Sequence, residues 1–370
     1  MHHFQIIIIG GGLAGLIAAH QLSKHGKEVL LIEKKTYPLH KVCGEYISNE
    51  VKEFLIKEGL YPDEIGPSQI TKFLLTSIKG NEAKMNLDLG GFGISRYALD
   101  YFLYQKAEAA GVKFMLQTQV EDVEFEPKEK RFLLQLNKGN TFTADHVIGA
   151  FGKRSKVDKS MDRSFMHQRS PFIGVKYHIK TDFDANTVAL HNFEGGYCGI
   201  NQVENGIFNL CYLGSKDQLR HYGNIPDMEK EVLHKNPHLK QLFLNSEFIF
   251  DKPEVINEIN FSPKQPVEKH ILMAGDAAGL ITPLCGNGMA IAIHTGKLAA
   301  EAILKNKDRT SIEKQYTAQW NHFFKMRLWV GRKVQWLFGS KAVSEFSVGL
   351  IKNSSFVASQ IIKKTHGEKF

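Results

Sequence analysis

Residues 4–15 read F-Q-I-I-I-I-G-G-G-L-A-G, and this stretch decides the fold. Its apolar first half predicts a buried β-strand over Phe4–Ile9, and Leu13–His25 predicts a helix that ends at Gly26. A glycine turn with the pattern G-x-G-x-x-G connects the two. Because a second buried strand is predicted at Glu28–Ile32, the chain begins with the strand, turn, helix and strand of a dinucleotide-binding unit.

Each glycine of the pattern has a mechanical role in dinucleotide binding. Gly10 allows the tight turn, Gly12 lets the backbone approach a pyrophosphate, and Gly15 lets the helix pack closely on the strand. We expect the diphosphate at the helix N-terminus, where free N–H groups and the helix dipole favour an anion. Glu33 follows the second strand and is expected to accept hydrogen bonds from the adenosine ribose. The unit therefore predicts a nucleotide cofactor, either NAD or FAD.

The middle third of the chain changes to alternating patterns. Phe172–Lys180 alternates between apolar and polar residues, and further β runs follow between 187 and 213. Two of these runs are joined by a turn that contains Asn205-Gly206, the strongest short signal for a hairpin. This section predicts a mainly antiparallel sheet, followed by two helices near 226–245.

Composition and charge narrow the classes of partner. The chain has 370 residues, of which 43% are hydrophobic and 23% charged, as in ordinary globular proteins. A net charge of +8 is expected of a soluble surface rich in lysine, and it also fits a partner that is a nucleic acid, an anionic membrane or an acidic substrate. No basic cluster interleaved with aromatic residues occurs in the first part of the chain, so we expect no nucleic-acid partner.

The cysteines and the hydropathy of the chain indicate in which cellular compartment the protein is expected. The four cysteines are scattered and form no C-x-x-C pair, so neither a disulfide framework nor a metal site is expected. No segment approaches the roughly 18 continuous apolar residues of a membrane span. The reducing cytoplasm is the expected location.

A second motif lies far along the chain. Residues 270–279 read H-I-L-M-A-G-D-A-A-G, and the pattern continues through Gly288. This stretch resembles the second FAD motif of the glutathione-reductase-type flavoproteins, in the branch that contains aromatic hydroxylases and geranylgeranyl reductases. The resemblance implies that the nucleotide is FAD and that Asp276 binds its ribityl chain. A helix that starts at Gly288 would direct N–H groups at the flavin pyrimidine.

Three other segments carry the same resemblance. Arg96, in I-S-R-Y-A-L-D, matches a family arginine that contacts the FAD diphosphate, and bidentate Arg–phosphate bonding explains the residue type. K-V-C-G-E at 41–45 resembles the K-P-C-G segment that lies beside the flavin ring in geranylgeranyl reductases. G-Y-C-G-I at 196–200 resembles the sheet segment that lines the substrate cavity in the same group of proteins. The resemblance covers nearly the whole chain and is loosest in the C-terminal region.

Cys43 and Tyr197 are the expected catalytic residues. Beside the flavin ring, the Cys43 thiol is either a proton donor, a gate or a small apolar wall, and Tyr197 is an alternative proton donor. Lys41 would raise the thiolate content of Cys43, and Glu45 would lower it. Gly44 is expected to permit a close approach of the backbone to the flavin.

The resemblance implies an FAD site assembled from the glycine turn, the second motif and residues between them. Its expected members are Gly10, Gly12, Leu13, Ala14, Gly15, Glu33, Lys34, Lys41, Cys43, Gly44, Arg96, Val120, Gly152, Gly275, Asp276, Pro283, Gly286, Asn287, Gly288 and Met289. One position departs from the family, because Phe151 replaces an aspartate that helps to bind both FAD and the pyridine nucleotide in the hydroxylases. NAD(P)H as a transient electron donor therefore stays open, and Lys153 and Arg154 are candidates to hold its phosphate.

The predicted fold class is α/β, with a Rossmann-like FAD-binding domain, an inserted and mainly antiparallel β-sheet substrate domain, and C-terminal helices. The predicted FAD-binding domain is discontinuous and comprises 1–70, 96–170 and 265–305. The predicted substrate domain comprises 71–95 and 171–264, and the C-terminal helical region comprises 306–370.

The resemblance implies an FAD-dependent oxidoreductase with a largely apolar substrate of lipid, isoprenoid or polyketide-like character. In the geranylgeranyl-reductase form, the reduced flavin passes hydride to a double bond. In the monooxygenase form, the enzyme hydroxylates an aromatic or polyketide substrate. A third alternative is a flavin-binding electron-transfer component whose partner supplies the chemistry. A halogenase is disfavoured, because G-Y-C-G-I stands where those enzymes have W-x-W-x-I-P.

The C-terminal region has a mixed apolar and basic pattern. Residues 318–338 read A-Q-W-N-H-F-F-K-M-R-L-W-V-G-R-K-V-Q-W-L-F, with Trp320, Phe324 and Trp329 at helical spacing. Such a helix either docks its apolar face on the flavin domain or lies on an anionic membrane from which a lipid substrate is drawn. Docking is the expectation, and peripheral membrane contact is the alternative.

Overall fold

The computed structural model describes residues 2–137, 139–281, 287–335, 340–353 and 367–370. Its strands, in chain order, are β1 (His2–Ile9), β2 (Val29–Ile32), β3 (Tyr46–Ser48), β4 (Ser68–Thr76), β5 (Glu82–Gly93), β6 (Lys113–Met115), β7 (Val120–Glu126), β8 (Arg131–Leu136), β9 (Thr141–Gly149), β10 (Phe172–Lys180), β11 (Thr187–Phe193), β12 (Gly196–Gln202), β13 (Phe208–Ser215), β14 (Glu247–Phe248), β15 (Glu254–Ile256), β16 (Val267–Glu268) and β17 (Ile271–Met273). Its α-helices are α1 (Leu13–Lys24), α2 (Lys52–Glu58), α3 (Arg96–Ala109), α4 (Lys156–Ser160), α5 (Lys216–Tyr222), α6 (Ile225–Val232), α7 (Pro237–Asn245), α8 (Gly288–Lys305), α9 (Arg309–Trp320), α10 (Met326–Gln335) and α11 (Lys341–Asn353).

The first sheet carries the glycine turn and has the order β16-β17-β9-β1-β2-β6. Its centre is parallel, and Ile8 of β1 lies between Leu31 of β2 and Ile148 of β9. These central strands are apolar along most of their length because a parallel sheet is buried on both faces. β7 and β8 form an antiparallel hairpin that joins β9. This is the Rossmann-like sheet that the sequence predicts.

Helix packing on this sheet is close. α1 packs against α3 and α8, and the side chains of Leu16 and Ile17 in α1 are fully buried. A Cβ atom added to Gly296 of α8 would lie only 2.4 Å from the carbonyl oxygen of Ala14. Glycine at this position therefore lets the two helix backbones touch, which fixes the position of α8 relative to the glycine turn.

The second sheet has the order β14-β10-β13-β12-β11-β4-β5-β3, with β15 paired to the outer side of β10. Its pairings are antiparallel except for β4 with β11, which is parallel. Asn205 and Gly206 in the β12–β13 turn have φ angles of 59° and 71°, the left-handed values that an Asn-Gly hairpin turn requires. The mixed α/β class with a mainly antiparallel second sheet is confirmed.

Two elements differ from the predictions. The apolar run His146–Ala150 predicts a short strand, whereas β9 begins five residues earlier, at Thr141, because Phe142 and Ala144 pair with β1 on one side and β8 on the other. A third helix, α5, precedes the two predicted near 226–245. The domain boundaries stay a prediction, and β3 pairs with β5 in the second sheet although it falls within 1–70.

The C-terminal helices lie partly on the first sheet's core. Trp320, Phe324 and Leu328 are buried in the same apolar cluster as the central strands, whereas Trp329 is exposed. α11 contacts β4 and β5 of the second sheet through Val348. Among the described residues, none of the helices combines the length and the apolar character needed to cross a membrane.

Candidate active site

A cavity of about 670 Å³ lies between the two sheets. Residues at the carboxyl ends of the parallel strands of the first sheet line one end of the cavity. Ile9 and Ile32 are the last residues of β1 and β2, and Ala150 and Ala274 directly follow β9 and β17. The carboxyl ends of parallel strands are where α/β sheets bind nucleotides. The other end is lined by the inner face of the second sheet. Its volume is within the range of small-molecule and cofactor sites.

The glycine turn has the geometry expected of a diphosphate cradle. Gly10 has a φ of 105°, and a Cβ atom there would lie 2.4 Å from the carbonyl oxygen of Ala150. A Cβ atom on Gly15 would lie 2.0 Å from the Gly10 oxygen. In contrast, the nearest atom to a Cβ on Gly12, the N-cap residue of α1, is Arg96 Nη2 at 3.7 Å. Gly12 therefore leaves the start of α1 open, with an arginine beside it.

Glu33 is buried at the end of β2 and lines the cavity. Its carboxylate accepts hydrogen bonds from the N–H groups of Gly11, at 2.7 Å, and Lys35, at 3.0 Å. The hydroxyl of Tyr37 donates to the Gly11 carbonyl at 2.6 Å. The sequence did not predict this role of Tyr37. The one available signal was the glycine at position 11, where any side chain would overlap the Tyr37 hydroxyl.

Arg96 begins α3 and shares a buried aspartate with Lys41. Arg96 Nε and Nη2 donate to Asp100 at 2.6 and 2.7 Å, and Lys41 Nζ donates to the same carboxylate at 2.7 Å. Burial opposes ionisation of Asp100, but the two cations hold its pKa below the ordinary range. The structure thus places the two predicted cations in one network, with Asp100 as a third member that the sequence reasoning missed.

Cys43 lines the cavity next to this network. Burial raises the pKa of its thiol, and the opposing effect of the Arg96 charge is smaller. Lys41, which the sequence suggests as an activator of Cys43, is ion-paired with Asp100 instead. At neutral pH the side chain is therefore a thiol, which can donate a proton, and not a thiolate.

Asp276 follows β17 and lines the cavity. In the sheet, β17 and β2, the strand before Glu33, lie on opposite sides of β1. Burial raises the pKa of its carboxyl group, against the charges of Lys264, Arg96 and Lys153. Lys264 Nζ donates to the backbone oxygen of Asp276 at 2.8 Å, and burial lowers the pKa of Lys264 to about 8. Lys264 is a further cation near the site that the sequence reasoning did not identify.

Most of the predicted site residues line this one cavity. They are Gly10, Gly12, Leu13, Ala14, Glu33, Lys34, Lys41, Cys43, Gly44, Arg96, Val120, Gly152, Tyr197, Gly275, Asp276, Gly288 and Met289. Gly15 packs behind the wall against Gly10, and Asn287 is fully buried at the start of α8. Pro283 and Gly286 lie outside the described residues.

The second sheet supplies an apolar wall. Its contributing side chains, from β4, β5, β11 and β13, are Phe73, Leu75, Met85, Leu87, Val188, Leu190 and Leu213. Tyr197 of β12 is buried among them. Among the described residues, no group of three or more His, Cys, Asp or Glu side chains is arranged to hold a metal ion.

The residues present fit an FAD molecule. The open glycine turn suits a diphosphate. Arg96 brings a positive charge beside Gly12, but its Nε and Nη2 atoms already bind Asp100, so this pair of donors is not available for the expected bidentate phosphate contact. Glu33 and Asp276 present carboxylates on either side of the turn, where the hydroxyl groups of a ribose and a ribityl chain need acceptors. The start of α8, at Gly288 and Met289, faces the same cavity and suits the flavin ring.

Comparison with known proteins agrees with this geometry. A family model described as FAD binding domain matches residues 3–306. The chain is 27% identical, over 344 residues, to digeranylgeranylglycerophospholipid reductase 2 of Methanopyrus kandleri, and the match covers 87% of this chain and 83% of that protein.

Two solved structures show the same fold at low identity. A geranylgeranyl bacteriochlorophyll reductase-like protein from Thermoplasma acidophilum has a TM-score of 0.78 at 20% identity, over 100% of this chain and 97% of that chain. p-Nitrophenol 4-monooxygenase from Pseudomonas putida has a TM-score of 0.75 at 15% identity, over 100% of both chains. Because the family model spans most of the sequence, the chain belongs to the FAD binding domain family and is an FAD-dependent oxidoreductase.

Proposed function

We propose that the protein reduces a carbon–carbon double bond in a largely apolar substrate, of lipid, isoprenoid or polyketide-like character, in the manner of the geranylgeranyl reductases. The observation that carries this proposal is the apolar wall of the second sheet. Leu75, Leu87 and Leu190 face the same cavity as the FAD-binding turn, so an apolar chain bound there lies beside the cofactor. Apolar walls bind by burying hydrocarbon surface, at about 25 cal/mol per Å².

When bound, FAD supplies the hydride chemistry, and the protein's own residues supply the proton and the environment. Cys43 is the first candidate donor, because its raised pKa keeps the thiol protonated at neutral pH. Tyr197 is the second, because it is buried in the wall that would contact the substrate. The apolar side chains exclude water, which protects a reactive reduced cofactor.

A flavin-dependent monooxygenase is the second candidate function. The likeness to p-nitrophenol 4-monooxygenase supports it at the level of the fold. Phe151 weighs against flavin reduction by NAD(P)H in the manner of the hydroxylases, because an aromatic ring occupies the position where those enzymes carry an aspartate. The ring lines the cavity and packs beside Gly149. A flavin-binding electron-transfer component that acts with a partner is the third candidate.

The electron donor is proposed to be NAD(P)H, bound transiently. Lys153 and Arg154 line the cavity after β9 and would attract its phosphates. Both cations also have partners in the protein: Lys153 Nζ donates to the carbonyl of Asn257, and Arg154 forms an ion pair with Glu258 at 3.0 Å. A phosphate would therefore have to compete with these contacts, which suits a weak and transient complex.

Anaerobic turnover tests the reaction. The purified protein is loaded with FAD and reduced by dithionite in the absence of oxygen. It is then incubated with lipids that carry geranylgeranyl chains, and the mass of the product is measured by mass spectrometry. A reductase adds two hydrogen atoms per double bond under these conditions. A product that forms only with oxygen and gains one oxygen atom would establish the monooxygenase instead. Turnover that requires an added protein fraction would support the partner-dependent component.

Peripheral membrane contact is proposed as the route by which an apolar substrate reaches the cavity. α10 exposes Met326 and Trp329, at 67% and 51% of their surface, and Lys333 Nζ lies 5.8 Å from the Trp329 ring. α11 exposes Phe346, at 69%, on the face opposite Val348. Aromatic side chains flanked by basic ones are typical of helices that lie on anionic membranes.

A further inference from the structure

The loop that carries Cys43, residues 41–45, ends at a residue with an unfavourable backbone conformation. Glu45 has a φ of 52°, in the left-handed region that favours glycine. Residues other than glycine persist there only where their surroundings hold them. The side chain of Glu45 is fully buried, so the explanation has to lie in its contacts.

Three nitrogen atoms converge on the Glu45 carboxylate. Lys176 Nζ lies 2.5 Å from Oε1, and His178 Nε2 lies 2.7 Å from Oε2. Both side chains project from β10 toward the cavity side of the second sheet. The backbone N–H of Arg96, the first residue of α3, donates to Oε1 at 2.7 Å. One carboxylate thus connects the loop to the substrate-side sheet and to the helix that carries Arg96.

The same sheet also holds the backbone of the loop. Asn209 Nδ2, on β13, donates to the Cys43 carbonyl at 3.2 Å. Asn201 Nδ2, on β12, donates to the Glu45 carbonyl at 3.2 Å. Three adjacent strands of the second sheet therefore bind a loop that belongs, in sequence, to the region after the glycine turn.

The charges of this cluster depend on one another. Burial alone would favour the neutral form of Glu45, but Lys176 and His178 hold its pKa below the ordinary range. The carboxylate and the fully buried Lys176 ammonium are each an expensive group to bury alone. Together they make an ion pair whose partners cannot separate without leaving a buried charge unpaired, which makes the attachment of the loop stiff.

We propose that Glu45 is a positioning residue, which with Lys176 and His178 fixes the Cys43 loop, and thereby the Cys43 thiol, against the cavity. The inference rests on the proposed function in one respect, since it places the loop on the reacting side of the flavin. Its geometric part concerns the accessibility of Cys43 and is measurable without substrate.

The test is the rate at which iodoacetamide alkylates Cys43 in the FAD-loaded protein, followed by mass spectrometry of the peptide that contains it. Glu45→Gln removes the charge but keeps the shape, and we expect the rate to rise about tenfold or more, because a charge-assisted hydrogen bond restrains the loop. The loss of this negative charge also lowers the pKa of the Cys43 thiol, so the rise is assigned to the loop only if a second variant, which loses the Lys176 charge as well, shows it too. Glu45→Gly removes the backbone strain together with the contacts. It is expected to raise the rate as well, because the contacts and not the strain determine the position.

A charge-balanced variant guards against misfolding. Glu45→Gln combined with Lys176→Met leaves no unpaired buried charge, so its melting temperature should exceed that of Glu45→Gln while Cys43 stays rapidly alkylated. Glu229→Gln is the matched control, because Glu229 is also buried but bonds to Tyr177 and Tyr212 on the other face of the same sheet. We expect the wild-type alkylation rate there.

Two results would overturn the proposal. One is a wild-type alkylation rate in the charge-balanced variant, which would mean that any faster alkylation of Glu45→Gln comes from the lowered pKa of the thiol and not from release of the loop. The other is an equal rise in Glu229→Gln, which would mean that any loss of a buried carboxylate loosens the sheet. Neither result depends on turnover, so a failure of the positioning role and a failure of the proposed reaction are distinguishable.

Discussion

At the scale of single residues, Asp276 is the position where FAD binding is most directly testable. Its carboxyl group faces the cavity after β17, where we expect the hydroxyl groups of the ribityl chain. Hydrogen bonds to a charged group contribute about 1–3 kcal/mol each. We therefore expect Asp276→Ala to weaken FAD binding by about tenfold to a hundredfold, measured by titrating the apoprotein with FAD and following the quenching of flavin fluorescence.

The amide variant separates charge from shape. Asp276→Asn keeps one acceptor oxygen and should lose less affinity than Asp276→Ala. An alanine variant that binds FAD as tightly as the wild type would remove Asp276 from the cofactor site. The same titration with FMN in place of FAD asks whether the adenosine half, which we expect near Glu33, contributes to affinity.

The residues of the glycine turn could be predicted because their roles follow from local backbone geometry. Gly10 and Gly15 have the close contacts that the pattern requires. The partner of Lys41 could not be predicted in the same way, because Asp100 is 59 positions away and only the folded chain brings them together. One signal was available: Asp100 is four residues after Arg96, so the two share a helix face.

At the scale of elements, the packing of α6 on the second sheet contains a titratable group. Glu229 of α6 is buried and accepts hydrogen bonds from the hydroxyls of Tyr177, at 2.9 Å, and Tyr212, at 2.8 Å. Burial raises the pKa of its carboxyl group from the ordinary 4.5 to about 7, although the two hydroxyls act in the opposite direction. Below about pH 7 the neutral acid is therefore the favoured form in the folded protein.

This pKa shift predicts how stability changes with pH. The folded state holds the Glu229 proton more tightly than the unfolded state, so the contribution is present at low pH and is lost as the pH rises from about 4.5 to about 7. Glu229→Gln cannot ionise. The unfolding free energy of the variant, relative to the wild type, should therefore increase over this window, as measured by urea denaturation. Parallel profiles of the two proteins would contradict the shifted pKa.

Most elements were predictable from periodicity, and the misses have physical causes. The run Phe172–Lys180 alternates in the sequence and is β10 in the structure. Its apolar face packs in the core of the second sheet, and Lys176 and His178 on the opposite face bind Glu45. The start of β9 was missed because its first residues are polar or alternating, and pairing with two neighbours overrides their weak local preference. α5 was missed because none of its side chains is buried, so it carries no strong apolar stripe.

At the scale of the whole molecule, the cavity is a product of tertiary structure that no single motif contains. The family resemblance predicted that Gly10, Cys43, Tyr197 and Asp276 belong to one site, and they line one cavity. The apolar extent of the second-sheet wall could not be predicted, since alternation alone does not say which face of a sheet a ligand will occupy. The buried cluster around Glu45 forms only where the second sheet meets the 41–45 loop and the start of α3, so the sequence could not predict it either.

The exposed faces of the C-terminal helices lead to a prediction about the whole protein. On α10, Lys333 lies beside the exposed Trp329, and Arg332 is the residue before Lys333. If this face binds an anionic membrane, the protein should float with vesicles of phosphatidylcholine and phosphatidylserine at low salt, and dissociate as salt screens the charges. Arg332→Glu with Lys333→Glu reverses the local charge and should abolish flotation while FAD binding is unchanged.

The control for this prediction changes the net charge by the same amount elsewhere. Lys128 and Lys159 are exposed on the first sheet's side of the molecule, in the β7–β8 turn and in α4. Their double change to Glu should leave flotation intact, because binding by a local aromatic and basic face depends on where the charges are, whereas binding through overall charge does not. Equal loss of flotation in both double variants would mean that the effect depends only on net charge.

A wild-type protein that stays in the soluble fraction at low salt would contradict membrane binding. The C-terminal helices would then have only their packing role, through the buried Trp320 and Phe324.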